Sequence, residues 1–138
     1  MPDLERTILN PSTMARPLGP YSHSVRVSPG KLLFIAGQVA VDKNGNAVGP
    51  GDVKAQTQQV FQNLAAILSE AGASFSNVVE FTTYLVGRDA VQPFVEARNE
   101  IFPTIFPGED YPPNTLLIIS GLVREEFLVE IKALAALP

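Results

Sequence analysis

The segment Phe127-Leu128-Val129-Glu130-Ile131-Lys132-Ala133 places one carboxylate where it can activate water. Residues 127, 129, 131 and 133 are all apolar, so with the two-residue period of a strand they share one face. Glu130 then lies on the other face with Leu128 and Lys132. A carboxylate on a covered face is either paired or put to use, because burying it alone is costly. Lys132 offers the plainer alternative, an ion pair along the strand, since two residues at about 3.3 Å rise each set the side chains about 7 Å apart. Upstream, Pro112-Pro113-Asn114-Thr115 brings an amide and a hydroxyl to the start of another strand. Taken alone, those residue types favour a turn and strand start with no chemical role. The single histidine, His23, follows Ser22, but neighbours on a strand point to opposite faces, so the two do not read as a nucleophile and its base. His23 is expected at the surface or at an interface. There is no Gly-rich phosphate loop, no GxSxG elbow and no HExxH pair.

The elements that must position these groups follow from apolar spacing. Val53, Val60, Phe61, Leu64, Ile67, Leu68 and Ala71 predict a helix between Asp52, which can cap its start, and Gly72, where it stops. A second helix is predicted from about Gln92 to Phe102, with Pro93 in its first turn and Phe94, Ala97, Ile101 and Phe102 as its buried stripe. Strands are predicted over 6–9, 24–27, 32–39, 78–86, 115–122 and 127–134. Pro29-Gly30 predicts a hairpin joining the second and third of these, and Asn44-Gly45 predicts a further turn. Five of the 12 prolines fall between Pro93 and Pro113, so residues 103–113 read as a stiff loop that can wall a site. The order of elements implies one α+β domain over residues 1–138, a mixed sheet with two helices on one face. Leu116–Ile119 is apolar throughout, as in a strand buried on both sides. With only two helices available, a second copy of the chain is the simplest cover for the other face.

Composition narrows the function classes. A chain with 46% hydrophobic residues has ample core, and Cys 0 excludes disulfide scaffolds, cysteine nucleophiles and thiolate metal sites. The net charge is −4 and the basic residues are scattered, which argues against nucleic acid and against a membrane surface. The start Met1-Pro2-Asp3-Leu4-Glu5 has neither the basic end nor the apolar run of a signal peptide, and no stretch reaches about 20 apolar residues, so the protein is expected to be cytoplasmic.

In order and spacing, Gly19-Pro20-Tyr21-Ser22, Phe34-Ile35-Ala36-Gly37-Gln38-Val39, the helix from Gln59 to Gly72, and Val129-Glu130-Ile131 with Ala133 resemble the RidA (YjgF-type) family over nearly the whole chain. The resemblance implies a chorismate-mutase-like fold, a homotrimer with three clefts between subunits, and no metal or organic cofactor. It also implies hydrolysis of reactive enamines and imines, such as 2-aminoacrylate and 2-iminopropanoate, to a 2-keto acid and ammonia. Carried over by position, Glu130 corresponds to the family's water-handling glutamate, Tyr21 to its cleft tyrosine and Gly37 to its cleft glycine. Thr115 corresponds to the residue after a substrate-gripping arginine in a Pro-x-Arg-Ser/Thr context, and the arginine's own position holds Asn114.

An amide has neither the charge nor the fork of a guanidinium. Losing a charge-assisted contact costs about 1.5–3 kcal/mol, roughly ten- to a hundred-fold. The expectation is an imine or enamine deaminase-type hydrolase with Glu130 and Thr115 in catalytic positions and Tyr21, Gly37 and Asn114 binding substrate. Its specificity is expected to be shifted away from 2-aminoacrylate toward a neutral amide or carbonyl. Lys132, where the family carries an acid, either holds Glu130 ionised or partly replaces the lost charge. The alternative is a non-catalytic trimer that binds a ligand or partner. Ribonuclease activity, attached to some relatives, is opposed by the acidic charge.

Overall fold

Local signals set the helix ends. In the computed structural model, which describes residues 4–28 and 30–138, helix α1 spans Val53–Glu70. The Asp52 side chain accepts the Ala55 N–H at 3.0 Å. At the other end Gly72 takes a φ of +73°, and the N–H groups of Gly72 and Ala73 bond back to the carbonyls of Ser69 and Leu68 at 3.0 and 2.8 Å. A left-handed glycine with these two bonds closes the helix. The predicted stripe is buried at Val53, Val60, Phe61, Leu64 and Leu68, with Ile67 half-buried against it. Gln56 and Thr57 are buried too.

Helix α2 spans Val91–Ile105, three residues beyond the expected end, and takes Pro103 into its last turn. The missing N–H of Pro103 costs a backbone bond. Aromatic packing offsets it: Phe102 and Phe106 lie 5.0 Å apart edge to face, and both touch Phe81 and Tyr111. With Phe61 and Phe75 these rings form one end of the core. The stiff loop therefore begins after Phe106 rather than at Pro103.

Strands β1 (Glu5–Leu9) and β2 (Ser24–Ser28) pair antiparallel with each other. Strands β3 (Lys31–Gln38), β4 (Val78–Val86), β5 (Asn114–Ile119) and β6 (Val129–Leu137) form a second sheet in the order β3-β6-β4-β5, in which only β4 and β5 run parallel. The expected hairpin between residues 24–27 and 32–39 is not formed: β2 pairs with β1, and β3 pairs with β6. Proline's fixed φ is wrong for the primed turns that close two-residue hairpins, so Pro29-Gly30 was a poor hairpin signal. Pro29 itself, like Met1–Asp3, lies outside the described residues. The Asn44-Gly45 turn is present, held by the Asp42 carboxylate, which accepts the N–H groups of Asn44 and Asn46 at 2.8 and 3.0 Å.

Both helices cover one face of the mixed sheet. Val129, Ile131 and Ala133 of β6 point into that core, as the alternation predicts, and Phe127 before the strand is buried as well. Strand β5 is not buried on both sides within the chain. It is an edge strand, with Leu117 and Ile118 exposed. On the face away from the helices Phe34 is 76% exposed and Leu32 50%, a patch of apolar surface uncovered by this chain. Among the described residues no helix is long and apolar enough to cross a membrane.

Candidate functional site

The aromatic end of the core seats the proline-rich loop, and the loop in turn seats the Gly19-Pro20-Tyr21-Ser22 segment. Ser22 is buried, its hydroxyl donates to the Tyr111 carbonyl and its N–H reaches the Pro112 carbonyl at 3.5 Å. The Tyr21 N–H turns back to the Gly19 carbonyl at 2.8 Å, and its phenol oxygen accepts the Leu18 N–H at 3.2 Å. Tyr21 is thereby brought beside the first residue of β5. Asn114 pairs with Phe81, whose side chain is in the core, so the amide lies on the helix side of the sheet. Its Oδ1 accepts the hydroxyl of buried Thr83 at 2.9 Å. Tyr21 and Asn114 line a common cavity of about 350 Å³ with Leu18, Gly19, Leu116 and a residue from helix α2, Arg98.

Arg98 has an unusual setting for a cation. Its Cζ lies 5.5 Å from the centroid of the Phe94 ring, and its Nε is buried with no hydrogen-bond partner. No carboxylate lies within 4.0 Å of it among the described residues. Burial lowers the pKa of the guanidinium from its usual value. A larger cavity of about 720 Å³, between the N-terminal loop and Tyr111, adjoins this one and shares Gly19 and Tyr21 with it. Of the residues marked from the sequence, Gly19, Tyr21 and Ser22 line the larger space.

The other half of the expected site is on the opposite face. Glu130 pairs with Tyr84 across β4 and is half-buried. The β3–β6 ladder shifts register between Ile35 and Gln38, and this bulge presents Gly37 to the Glu130 side chain. A Cβ on Gly37 would overlap the Glu130 carboxylate, lying 2.7 Å from its Cδ and 2.9 Å from its Cγ. Only glycine leaves room for the carboxylate there. Thr115, Thr82 and Lys132 are neighbours across three strands and share this outer face. Among the described residues Glu130 and Lys132 form no ion pair.

Gln56 steadies this half from α1. Its Nε2 donates to the carbonyls of Gly49 and Glu126 at 3.0 and 2.7 Å, and its Oε1 accepts the Leu128 N–H at 2.8 Å. The segment that enters β6 just before Glu130 is pinned at both of those points.

The residues marked from the sequence therefore fall into two groups. Gly37 and Glu130 touch, and Thr115 lies on their face two strands over and two residues along, roughly 12 Å at about 4.8 Å per strand and about 3.3 Å per residue. Tyr21 and Asn114 share a cavity on the helix side. His23 belongs to neither group: its Nε2 donates to the Ala15 carbonyl at 2.8 Å and its N–H to Asn10 Oδ1 at 2.8 Å, which ties the N-terminal loop together. Arg98 and Gln56 were missed. Both carried a signal, since each interrupts an apolar stripe at helical spacing: Gln56 between Val53 and Val60, Arg98 between Phe94 and Phe102.

The family described as Endoribonuclease L-PSP matches residues 12–137. A RutC family protein of Pyrococcus abyssi is 37% identical over 120 residues, 87% of this chain and 88% of its own length. The mouse protein named 2-iminobutanoate/2-iminopropanoate deaminase is 32% identical over 135 residues, 98% of this chain and 94% of its own. In three dimensions the chain is similar to YyfB of Yersinia pestis, a Rid-family protein of unknown function, with a TM-score of 0.85 at 37% identity over 96% of this chain and 98% of that one. A match across almost the entire chain, on a mixed sheet that carries two helices on one face, places this protein in the Endoribonuclease L-PSP family, the group of RidA, RutC and YjgF-type proteins.

Proposed function

We propose that the protein is a cofactor-independent imine or enamine hydrolase whose sites are completed between subunits of a homotrimer in the cytoplasm. The observation that carries this reading is the Glu130 carboxylate, held against Gly37 on the uncovered face of the sheet and unpaired by Lys132. The exposed Phe34 and Leu32, farther along the same face opposite Leu134 and Ala136, form an apolar surface that a second copy would bury. The full-length relative named as an imine deaminase supports the chemistry.

In this reading a water hydrogen-bonded to Glu130 attacks the imine carbon. The new C–O bond forms as the water's proton passes to the carboxylate, and Glu130 returns that proton to nitrogen, giving a carbinolamine. A second transfer, from the hydroxyl through Glu130 to nitrogen, breaks the C–N bond and leaves a carbonyl and ammonia. One water is consumed for each ammonia released, and an enamine first becomes the imine by taking a proton at carbon and giving one up from nitrogen. Tyr21, Asn114 and the Thr115 backbone, from the neighbouring subunit, hold the substrate's polar end. With Asn114 in place of the family arginine, turnover of 2-aminoacrylate is slower than in an arginine-bearing relative.

The test is a screen of imines and enamines for ammonia and carbonyl release, with Glu130→Gln alongside. A general base contributes about 10²–10⁴-fold, and a loss of that size is expected. Ligand binding with no turnover on any substrate would instead show a binding protein that kept the fold. Sedimentation at equilibrium should give three times the 14.9 kDa chain mass.

A further inference from the structure

A guanidinium is seldom buried without a carboxylate or a set of carbonyls around it, because an unmatched buried donor costs more than a typical hydrogen bond returns. Arg98 is such a case. Among the described residues its Nε is buried and unpartnered, no acidic side chain lies within ion-pair distance, and the ring of Phe94 packs against its charge. The side chain lines the cavity of about 350 Å³ that Tyr21 and Asn114 also line. A Cβ on Gly19 would stand 3.7 Å from Arg98 Nη2, so the fork reaches the Gly19-Pro20-Tyr21 segment at the cavity wall.

The other polar groups of the cavity are arranged with the same sign. Asn114 commits its Oδ1 to the Thr83 hydroxyl, which leaves its NH₂ as a donor. The Tyr21 oxygen accepts the Leu18 N–H, which leaves the phenol proton to donate. The cavity thus presents a guanidinium, an amide NH₂ and a phenol O–H, with apolar Leu18, Val95 and Leu116 between them. A ligand that fits must bring acceptors and a negative charge, and a carboxylate matches the planar fork of an arginine.

We propose that Arg98, from helix α2, is the anion-binding residue of this cavity and that the ligand it takes is a small carboxylate. The cation that Asn114 lacks is supplied from a different element. The ligand class is then an acid rather than the neutral amide that Asn114 alone predicts. This inference rests on the reading that the Tyr21–Asn114 cavity holds the substrate's polar end.

The test is calorimetric titration of the intact protein with pyruvate and with its neutral amide, pyruvamide. The wild type is expected to bind pyruvate at least about tenfold more tightly. Arg98→Met should lose about ten- to a hundred-fold in pyruvate affinity while binding pyruvamide as before. Arg98→Lys keeps the charge and the stem without the fork, guards against misfolding of the Met variant, and should lose less. Adding Asn114→Arg to Arg98→Met should restore the preference for pyruvate. Equal pyruvate affinity in Arg98→Met and wild type, no preference for pyruvate in the wild type, or a double variant as weak as Arg98→Met each overturns the proposal. None of these titrations reads turnover. Carboxylate binding that depends on Arg98 in a protein with no hydrolase activity would sink the hydrolase reading and leave the anion site standing. Turnover that survives alongside unchanged binding in Arg98→Met would do the reverse.

Discussion

Each helix carries a long polar side chain that interrupts its apolar stripe, and the two are treated in opposite ways. Gln56 on α1 is 1% exposed, and its amide is matched on both sides, giving two hydrogen bonds and accepting one. Among the described residues, Arg98 on α2 keeps an unmatched buried Nε and a charge answered only by an aromatic ring. A buried polar group that satisfies the chain's own backbone holds structure. One that the chain leaves unsatisfied, on the wall of a cavity, is available to something else.

The contrast is sharpest in what each loss should do to stability. Gln56→Leu strands the Leu128 N–H and the carbonyls of Gly49 and Glu126, and unmatched buried groups cost about 1–3 kcal/mol apiece. With partial access of water, a net loss of about 2–4 kcal/mol is expected in urea unfolding. A loss below about 1 kcal/mol would show that water replaces the amide and that Gln56 is no pin. A smaller effect on stability is expected from Gly37→Ala, because the clash falls on the Glu130 side chain, which can swing aside, and not on backbone. Its stability should fall by about 1 kcal/mol. Turnover should fall about a hundredfold, as a displaced general base entails. Unchanged kcat in a folded Gly37→Ala protein would break the link between the bulge and the carboxylate.

What was legible in the sequence was what short-range chemistry decides. Asp52 and Gly72 bound α1 through bonds that span three to five residues, and the alternation of Phe127 to Ala133 put Glu130 on the outer face. Strand partners were not legible. Strand β3 pairs with β6, about a hundred residues away, and nothing in residues 24–39 alone distinguishes that from a hairpin with β2. The same non-local pairing splits the expected site: Asn114 shares a face with Phe81 and Glu130 with Tyr84, which only the sheet register reveals. Arg98 was overlooked for a different reason. An arginine within an apolar stripe reads by default as a stem lying on the core with its head in water. Whether the head finds a partner depends on Gly19 and Asn114, which come from two other parts of the chain.

The smallest expected effect is the one that best separates the two side chains. Replacing Arg98 with Met keeps an unbranched stem of similar reach against Phe94 while removing the charge and the orphaned Nε–H. Against the protein, the change forfeits a cation–π contact worth about 0.5–2 kcal/mol. In its favour, it lifts the cost of an unmatched buried donor, about 1–3 kcal/mol, and the desolvation that lowers the guanidinium's pKa. These terms nearly cancel, so the ligand-free variant should unfold within about 1 kcal/mol of wild type, or slightly above it. Urea unfolding with and without saturating pyruvate checks both sides at once. The wild type should gain stability from the ligand by mass action, and Arg98→Met should gain little. A ligand-free loss as large as that of Gln56→Leu would mean that Arg98 holds the fold rather than an anion, and the two helices would then differ only in which backbone they serve.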